Sequence, residues 1–271
     1  MSRNRAVAAP YLLWIVLFTV IPLMLVTWFA FTNEDGSFTF ANISAVSDYA
    51  AVIFRSIWLS LIATVICLVI AYPLSYIISR ASVAKQQTYL LLVMLPMWMN
   101  FLLRTYAWMT LLENTGVINK LLGIIGIGPF QMINTQGAVI LGMVYNYLPF
   151  MILPLYSVMT KIDKRVIEAA QDLGAPSAKV FSSVVLPLSM PGVMTGITMV
   201  FVPAVSTFII SRMLGGGSNM MIGDLIELQF LGNAYNPNLG AAISLALMVL
   251  ILFCMSMLNQ LNEEDKEGMI I

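Results

Sequence analysis

The sequence predicts an all-α protein that crosses a membrane six times. Of its 271 residues, 60% are apolar and only 10% are charged, and the mean hydropathy is +0.90. A soluble domain is roughly 45–50% apolar and about 25% charged, so no water-soluble core could bury this much hydrocarbon. A span needs about twenty apolar residues, and it must be helical because lipid offers its backbone no hydrogen-bond partner. The six predicted spans are residues 10–31, 57–78, 88–112, 137–159, 186–210 and 239–258.

The first span follows Arg3 and Arg5, as the apolar part of a signal peptide would. Its apolar run is too long for a signal peptide and lacks a convincing small-residue cleavage site, so we expect a retained membrane anchor. Cys67 in the second span and Cys254 in the sixth have no place in a secreted-type disulfide framework. Both cysteines are predicted to be packing residues.

The third, fourth and fifth spans each contain a feature that is unusual in a plain membrane helix. Arg104 and Pro96 interrupt the third span. The proline residues of the fourth and fifth spans are Pro149, Pro154, Pro187, Pro191 and Pro203. They indicate either ordinary bends of a helical bundle or a gate. Gly192 and Gly196 are spaced for close helix contact, although they could equally relieve crowding around Pro191.

Orientation follows from the lysine and arginine residues near the ends of the spans. With the N-terminus inside the cell, nine of these residues are cytosolic and four are external, so the N- and C-termini and the loop 161–185 are predicted to be cytosolic. The cytosolic set is Arg3, Arg5, Arg80, Lys85, Lys161, Lys164, Arg165, Lys179 and Lys266; the external set is Arg55, Arg104, Lys120 and Arg212. No linker or repeat is visible, and three parts are expected: an anchor and first external loop (1–56), a core (57–262) and a tail (263–271).

Several chemistries are excluded by composition. Histidine is absent, which removes the commonest general base and metal ligand, so we expect no metal centre and no Ser-His-Asp hydrolase. None of the six lysines follows a phosphate-cradling Gly-x-x-x-x-Gly pattern, and the net charge of zero gives no reason to expect nucleic-acid binding. The chain is therefore predicted to be no enzyme and to carry no cofactor, so any ATP must be bound by another polypeptide.

The loop 161–185 is polar and lies between two apolar runs. Asp163 is placed to cap a short helix that carries Glu168 in its first turns, and Gly174 permits the backbone turn that ends it. Residues 175–183 are expected to form a second short helix leading back to Leu186 and Pro187. A plain amphipathic connector with a glycine cap is the alternative.

The spacing within this loop carries a resemblance. Glu168-Ala169-Ala170-Gln171-Asp172-Leu173-Gly174 is followed after nine residues by Val184-Val185-Leu186-Pro187. This pattern resembles the EAA loop of ABC-importer permeases, with Val184 where isoleucine is usual. The resemblance implies the type I (MetI-like) permease fold and a loop that docks on the ATPase subunit. The positions it implies for ATPase coupling are Glu168, Ala169, Ala170, Asp172, Gly174, Leu186 and Pro187.

Candidate residues for a substrate path lie near the external ends of the spans. Carboxylates beside tyrosine and tryptophan suit an organic cation through ion pairing and cation–π contact. Arg104 argues against this, since it could orient a carboxylate or snorkel outward, and aromatic residues at span ends are often interfacial belts. The candidates are Trp98, Asn100, Tyr106, Glu113, Tyr145, Asn146, Asp224 and Glu227.

Three further blocks sharpen the resemblance. Residues 95–108, 148–157 and 223–231 are similar to the first permease subunit of spermidine/putrescine importers. The resemblance implies polyamine import by alternating access across the cytoplasmic membrane of a prokaryote. The implied partners are a second homologous permease, two ATPase subunits that bind ATP and Mg, an external binding protein and membrane lipid. The alternatives are a permease for another small solute, a secondary transporter driven by an ion gradient, and a scaffold protein that transports nothing.

Overall fold

The computed structural model describes residues 10–268, and it is helical throughout apart from turns and one isolated bridge between Thr32 and Phe38. The predicted all-α class is confirmed. Arg3, Arg5 and the end of the predicted tail, 269–271, lie outside the described residues. The helices, numbered in chain order, are α1 (Pro10–Ala30), α2 (Ala41–Arg80), α3 (Val83–Met94), α4 (Phe101–Leu112), α5 (Val117–Ile124), α6 (Gln136–Met159), α7 (Lys164–Asp172), α8 (Ser177–Val205), α9 (Ile209–Gly215), α10 (Ile222–Leu231) and α11 (Pro237–Gly268).

Six membrane spans are compatible with these helices only if one span is broken. Five helices, α1, α2, α6, α8 and α11, are each long and apolar enough to cross a bilayer. The sixth is the pair Val83–Trp98 and Phe101–Ile124, whose axes meet at 87°. The third predicted span, 88–112, is therefore divided between two helices and is not one continuous helix.

The break in the third span has a local cause. A 3-10 turn, Leu95–Trp98, contains Pro96, which has no backbone N–H to continue a helix. Met99 and Asn100 are then extended, and the Asn100 side chain accepts a hydrogen bond from the Leu102 amide at 2.8 Å. Because asparagine is a preferred N-cap, this contact starts α4 as a new helix in a new direction.

Three long helices, α2, α6 and α8, form the main core. Leu59, Ala63 and Cys67 of α2 pack with Met143 and Met151 of α6, and all five are essentially fully buried. The prediction that Cys67 is a packing residue is confirmed, and Cys254 lies half-buried beside a second apolar cluster around α10 and α11.

Small residues let α8 approach α6 closely. A Cβ atom on Gly192 would lie 3.0 Å from the Pro154 carbonyl oxygen, and one on Gly196 would lie 2.5 Å from the Met151 sulfur. The helix-contact interpretation of these two glycines is therefore confirmed. The helix continues through Pro191 and Pro203, as α6 does through Pro149 and Pro154.

The first helix lies at the edge of the bundle, packed on α11, and most of its apolar side chains are exposed. Its C-terminal end is held by two asparagine side chains. Asn42 donates to the carbonyls of Ala30 and Thr32, and Asn238 donates to those of Phe29 and Thr32. These contacts satisfy carbonyl groups that a helix end leaves without partners. The anchor is thus attached to the core at this end and along α11.

Candidate functional site

The loop 161–185 projects α7 away from the core. The Asp163 carboxylate accepts a hydrogen bond from the Arg165 amide at 3.0 Å, which confirms it as the N-cap. None of the residues of α7 is buried. Glu168 and Ala169 are exposed, and so is Asp172 at the last turn of the helix. The helix therefore offers nearly its whole surface to another molecule.

The turn after α7 is closed by a Schellman motif. The Gly174 amide donates to the Gln171 carbonyl at 2.8 Å, and the Ala175 amide donates to the Ala170 carbonyl at 3.1 Å. Gly174 has a φ of +81°, the left-handed conformation that a β-carbon opposes. The glycine therefore sets the angle between α7 and the chain that follows.

The expected second short helix over 175–183 is not separate, which corrects the sequence interpretation. Helix α8 begins at Ser177 and runs without a gap to Val205, through a π-helical stretch at Phe181–Val185. The fifth span also ends earlier than the predicted residue 210, because Ser206 and Thr207 interrupt the helix before α9. Leu186 and Pro187 thus lie half-buried inside α8. Only Ala175 and Pro176 therefore separate the Gly174 turn from a helix that is long and apolar enough to span a membrane.

Two exposed apolar side chains add to the surface of this loop. Leu173 is 89% exposed beside Gly174, and Val166 is half exposed on α7. Sequence reasoning gave Leu173 only as part of the Glu168–Gly174 pattern and did not single out Val166. Because exposed apolar residues on a helix that projects from the core have no partner within the chain, they fit a contact with another protein.

A second candidate site lies between α9 and α10. The Arg212 guanidinium donates to the Glu227 carboxylate at 2.7 Å, with a second contact between the same groups. Asp224 is 5% exposed, and its Oδ2 atom accepts from the Met221 amide at 2.8 Å while its Oδ1 atom has no hydrogen-bond partner. Burial raises the pKa of the Asp224 carboxyl, and the nearby Ser211 hydroxyl, the Met221 amide and Arg212 partly offset this.

Asp224 lines a small cavity. The cavity has a volume of about 190 Å³, and its wall includes Arg212 and Ser211 as well as the apolar side chains of Met220 and Leu228. A buried carboxylate oxygen without a partner in such a place favours a cationic or hydrogen-bond-donating group. The structure thus brings together two of the predicted path residues, Asp224 and Glu227, with an arginine that had been assigned only to the external loops.

The other predicted path residues lie elsewhere, and none of them lines the Asp224 cavity. Trp98 and Tyr106 are mostly exposed, Glu113 is exposed at the end of α4, and Asn100 serves as the N-cap of that helix. Tyr145 packs edge-to-face against Trp108 with ring centroids 5.4 Å apart. The Asn146 amide donates to the Gly142 carbonyl at 2.8 Å, and its Oδ1 atom is buried without a partner.

Arg104 is a buried cation within the chain. Its side chain is 8% exposed, it lies over the Phe101 ring, and its Nε and Nη1 atoms have no hydrogen-bond partner. The suggestion that it snorkels outward is therefore wrong. Among residues 10–268 there is no group of histidine, cysteine, aspartate and glutamate side chains that could hold a metal ion.

Comparison with known proteins shows which family of proteins this chain resembles in sequence. The sequence matches the family described as binding-protein-dependent transport system inner membrane component over residues 1–263. It is 40% identical to the spermidine/putrescine transport system permease protein PotB of Haemophilus influenzae, over 88% of this chain and 86% of the relative. It is 37% identical to the PotB protein of Escherichia coli, over 88% and 90%.

Solved structures with the same fold are more distant in sequence. One chain of a bacterial ABC transporter that imports the acidic polysaccharide alginate matches with a TM-score of 0.82 at 17% identity, over 96% of this chain and 95% of that one. The same fold occurs in the alginate transporter complexed with a periplasmic protein that holds an alginate pentasaccharide, again with a TM-score of 0.82. By sequence and by fold, the chain belongs to the family of inner membrane components of binding-protein-dependent transport systems.

Proposed function

We propose that this chain is a permease subunit of an ABC importer that carries a polyamine, spermidine or putrescine, across the cytoplasmic membrane of a prokaryote. The observation that carries the transport mechanism is the exposed helix α7, joined through the Gly174 turn to the membrane-spanning helix α8. The names of the relatives at 37–40% identity support the polyamine as substrate. The chain would make or break no bond itself.

In this proposal, α7 docks on an ATPase subunit on the cytosolic side of the membrane. Two ATPase subunits bind ATP and Mg, and their closure draws the loops of two homologous permeases together and opens the pair outward. Hydrolysis resets the pair. The loop 161–185 and the two chain termini are then cytosolic, and the loops 32–56, 113–136 and 211–238 receive the external binding protein. The proposed coupling residues are Glu168, Ala169, Ala170, Asp172, Gly174, Leu186 and Pro187.

The α9–α10 site, and not the fold, indicates the charge of the substrate. Related solved structures import an acidic polysaccharide with the same architecture, and function follows the site rather than the fold. Here a buried carboxylate oxygen of Asp224 is unpaired and Glu227 lies beside it. Two carboxylates facing one arginine leave excess negative charge, which suits a protonated amine.

Reconstitution tests the proposal against the ion-gradient alternative. The chain would be co-purified with a second permease and the ATPase, placed in vesicles, and supplied with labelled spermidine and the external binding protein. We expect uptake that requires ATP hydrolysis and survives collapse of all ion gradients. Uptake driven by an imposed ion gradient without ATP would favour the secondary transporter, and the absence of a bound ATPase would refute the proposal.

Removing one negative charge from the α9–α10 site should weaken spermidine transport. We expect Asp224→Asn and Glu227→Gln each to lower uptake at sub-saturating spermidine by about tenfold, because each removes a charge-assisted contact worth about 1.5 kcal/mol. Glu264→Gln is the matched control, since Glu264 is a carboxylate of the proposed cytosolic tail 263–271, on the opposite side of the membrane from the site. Transport at the control level in both site variants would remove Asp224 and Glu227 from the path.

A further inference from the structure

Two side chains beside the turn between α2 and α3 tie it to its surroundings: Arg80 to the base of the loop 161–185, and Gln86 to the end of α6. Both lie at the end of the bundle that carries α7, as their contacts with α6 and Ile162 show. Sequence reasoning assigned them no role beyond the cytosolic charge of Arg80.

Gln86 uses both ends of its amide group. Its Nε2 atom donates to the carbonyls of Ser79 at 3.1 Å and Ala81 at 2.9 Å, which lie at the C-terminal end of α2. Its Oε1 atom accepts a hydrogen bond from the Tyr156 hydroxyl on α6 at 2.9 Å. The Gln86 side chain therefore joins α3 to both α2 and α6. Its partner on α6, Tyr156, lies four residues before the C-cap residue Thr160.

Arg80 makes the second tie. Its Nη1 atom donates to the Ile162 carbonyl at 3.3 Å, immediately before the N-cap Asp163 of α7. Its Nε and Nη2 atoms are buried and have no hydrogen-bond partner, and the guanidinium lies 5.4 Å from the centre of the Tyr76 ring. An arginine with unused buried donors can gain contacts if the base of the loop moves.

Helix α3 is held loosely apart from this tie. None of its residues is fully buried, and only Leu90 and Val93 reach the main core. A cavity of about 260 Å³ lies between it and α2, lined by Leu74, Ile77 and Ile78 on one side and by Tyr89, Leu92 and Val93 on the other. Its other end is the 87° break. A short helix with a break at one end and a gap along its side can move as a unit.

We propose that Arg80, Gln86 and Tyr156 form a clamp that passes movement of α7 to α3, so that the broken third span moves together with α8. The three side chains are positioning residues and touch no substrate. The inference rests on the proposed function, because it requires an ATPase that displaces α7. It extends that function by adding a second route, besides the continuous helix α8, by which movement of the loop 161–185 reaches the membrane helices.

The cleanest test removes one oxygen atom from the clamp. Tyr156→Phe deletes only the hydroxyl that donates to Gln86, and Tyr89→Phe makes the same change on α3 at a hydroxyl that has no side-chain hydrogen bond in the described part of the chain. The assembled transporter in vesicles would be assayed for spermidine taken up per ATP hydrolysed. We expect Tyr156→Phe to lower this ratio by about two- to tenfold, the range that the loss of one hydrogen bond sets, and Tyr89→Phe to leave it unchanged.

A second variant separates the clamp from simple loss of stability. Gln86→Leu should lower the same ratio, and the double variant with Tyr156→Phe should be no worse than Gln86→Leu alone, because Gln86→Leu already breaks the hydrogen bond that Tyr156→Phe removes. Additive effects of the two changes, or an unchanged ratio in Tyr156→Phe, would overturn the proposal.

A distance measurement reports the movement without reference to the substrate. Spin labels at Val69→Cys on α2 and Leu91→Cys on α3, both exposed positions, would be compared with and without trapped nucleotide after Cys67 and Cys254 are replaced by alanine. We expect a nucleotide-dependent shift that Tyr156→Phe abolishes and Tyr89→Phe preserves. A parent complex that takes up spermidine with ATP but shows no shift would refute the clamp alone, whereas a parent complex without ATP-driven uptake would refute the proposed function.

Discussion

Gly174→Val should abolish ATP-driven uptake while the protein still inserts into the membrane in normal amounts. Gly174 holds a φ of +81°, and open space surrounds the position that a Cβ atom would take. The cost of valine is therefore backbone strain alone, about 1–3 kcal/mol, which the chain can relieve by abandoning the Schellman turn. Relaxation changes the angle between α7 and α8. We expect spermidine uptake and substrate-stimulated ATP hydrolysis to fall by at least about tenfold.

Gly36→Val is the control for the effect of such backbone strain on membrane insertion and protein amount. Gly36 has a φ of +74° and an equally open surrounding, so the same substitution imposes similar strain on the first loop, outside the loop 161–185. Quantitative blotting of membranes verifies the amount of each variant. Normal uptake in Gly174→Val would show that the geometry of this turn does not couple the permease to an ATPase.

Gly142→Leu should prevent α9 from packing on α6 and destabilise the fold. A Cβ atom on Gly142 would lie 2.5 Å from Leu214 Cδ1 and 2.8 Å from Ile210 Cγ2, and both of these residues are fully buried on α9. Overpacking of this kind costs about 3 kcal/mol. Because α9 carries Arg212, its displacement would also separate Arg212 from Glu227 on α10.

Gly137→Leu, one and a half turns earlier on the same helix, is the matched control. A Cβ atom there would meet only the Thr135 hydroxyl, at 3.7 Å. Thermal unfolding of the detergent-solubilised proteins measures the difference, and we expect a clearly lower midpoint for Gly142→Leu alone. Equal midpoints for the two variants would mean that α9 does not sit against α6 as described.

Local chemistry explains which parts of the site were predictable. Asp163 is a preferred N-cap residue and Gly174 a preferred C′ residue, so the bounds of α7 follow from near neighbours in the chain. Cys67 was correctly placed in the core because an apolar span offers no other use for a thiol. The exposure of Glu168 likewise follows from a short polar helix between two spans.

Longer-range features were mispredicted or missed. Hydropathy alone shows one run over 88–112 and cannot show that Pro96 and the Asn100 cap divide it into two helices. The helix α8 was expected to start at 186, because averaged hydropathy marks where lipid begins and not where the helix begins. Arg212 was counted only as an external charge, since its partner Glu227 lies fifteen residues away along the chain.

The amino-acid sequence by itself determined that this protein is helical, spans a membrane and carries the Glu168–Gly174 loop, because length, hydropathy and short-range caps depend only on neighbouring residues. Only the tertiary structure decided that α7 stands free of the core, that Asp224 and Glu227 share a site with Arg212, and that Gln86 joins α3 to α6. Those facts are contacts between segments far apart in the chain, and they exist only after α2, α6 and α8 have packed together.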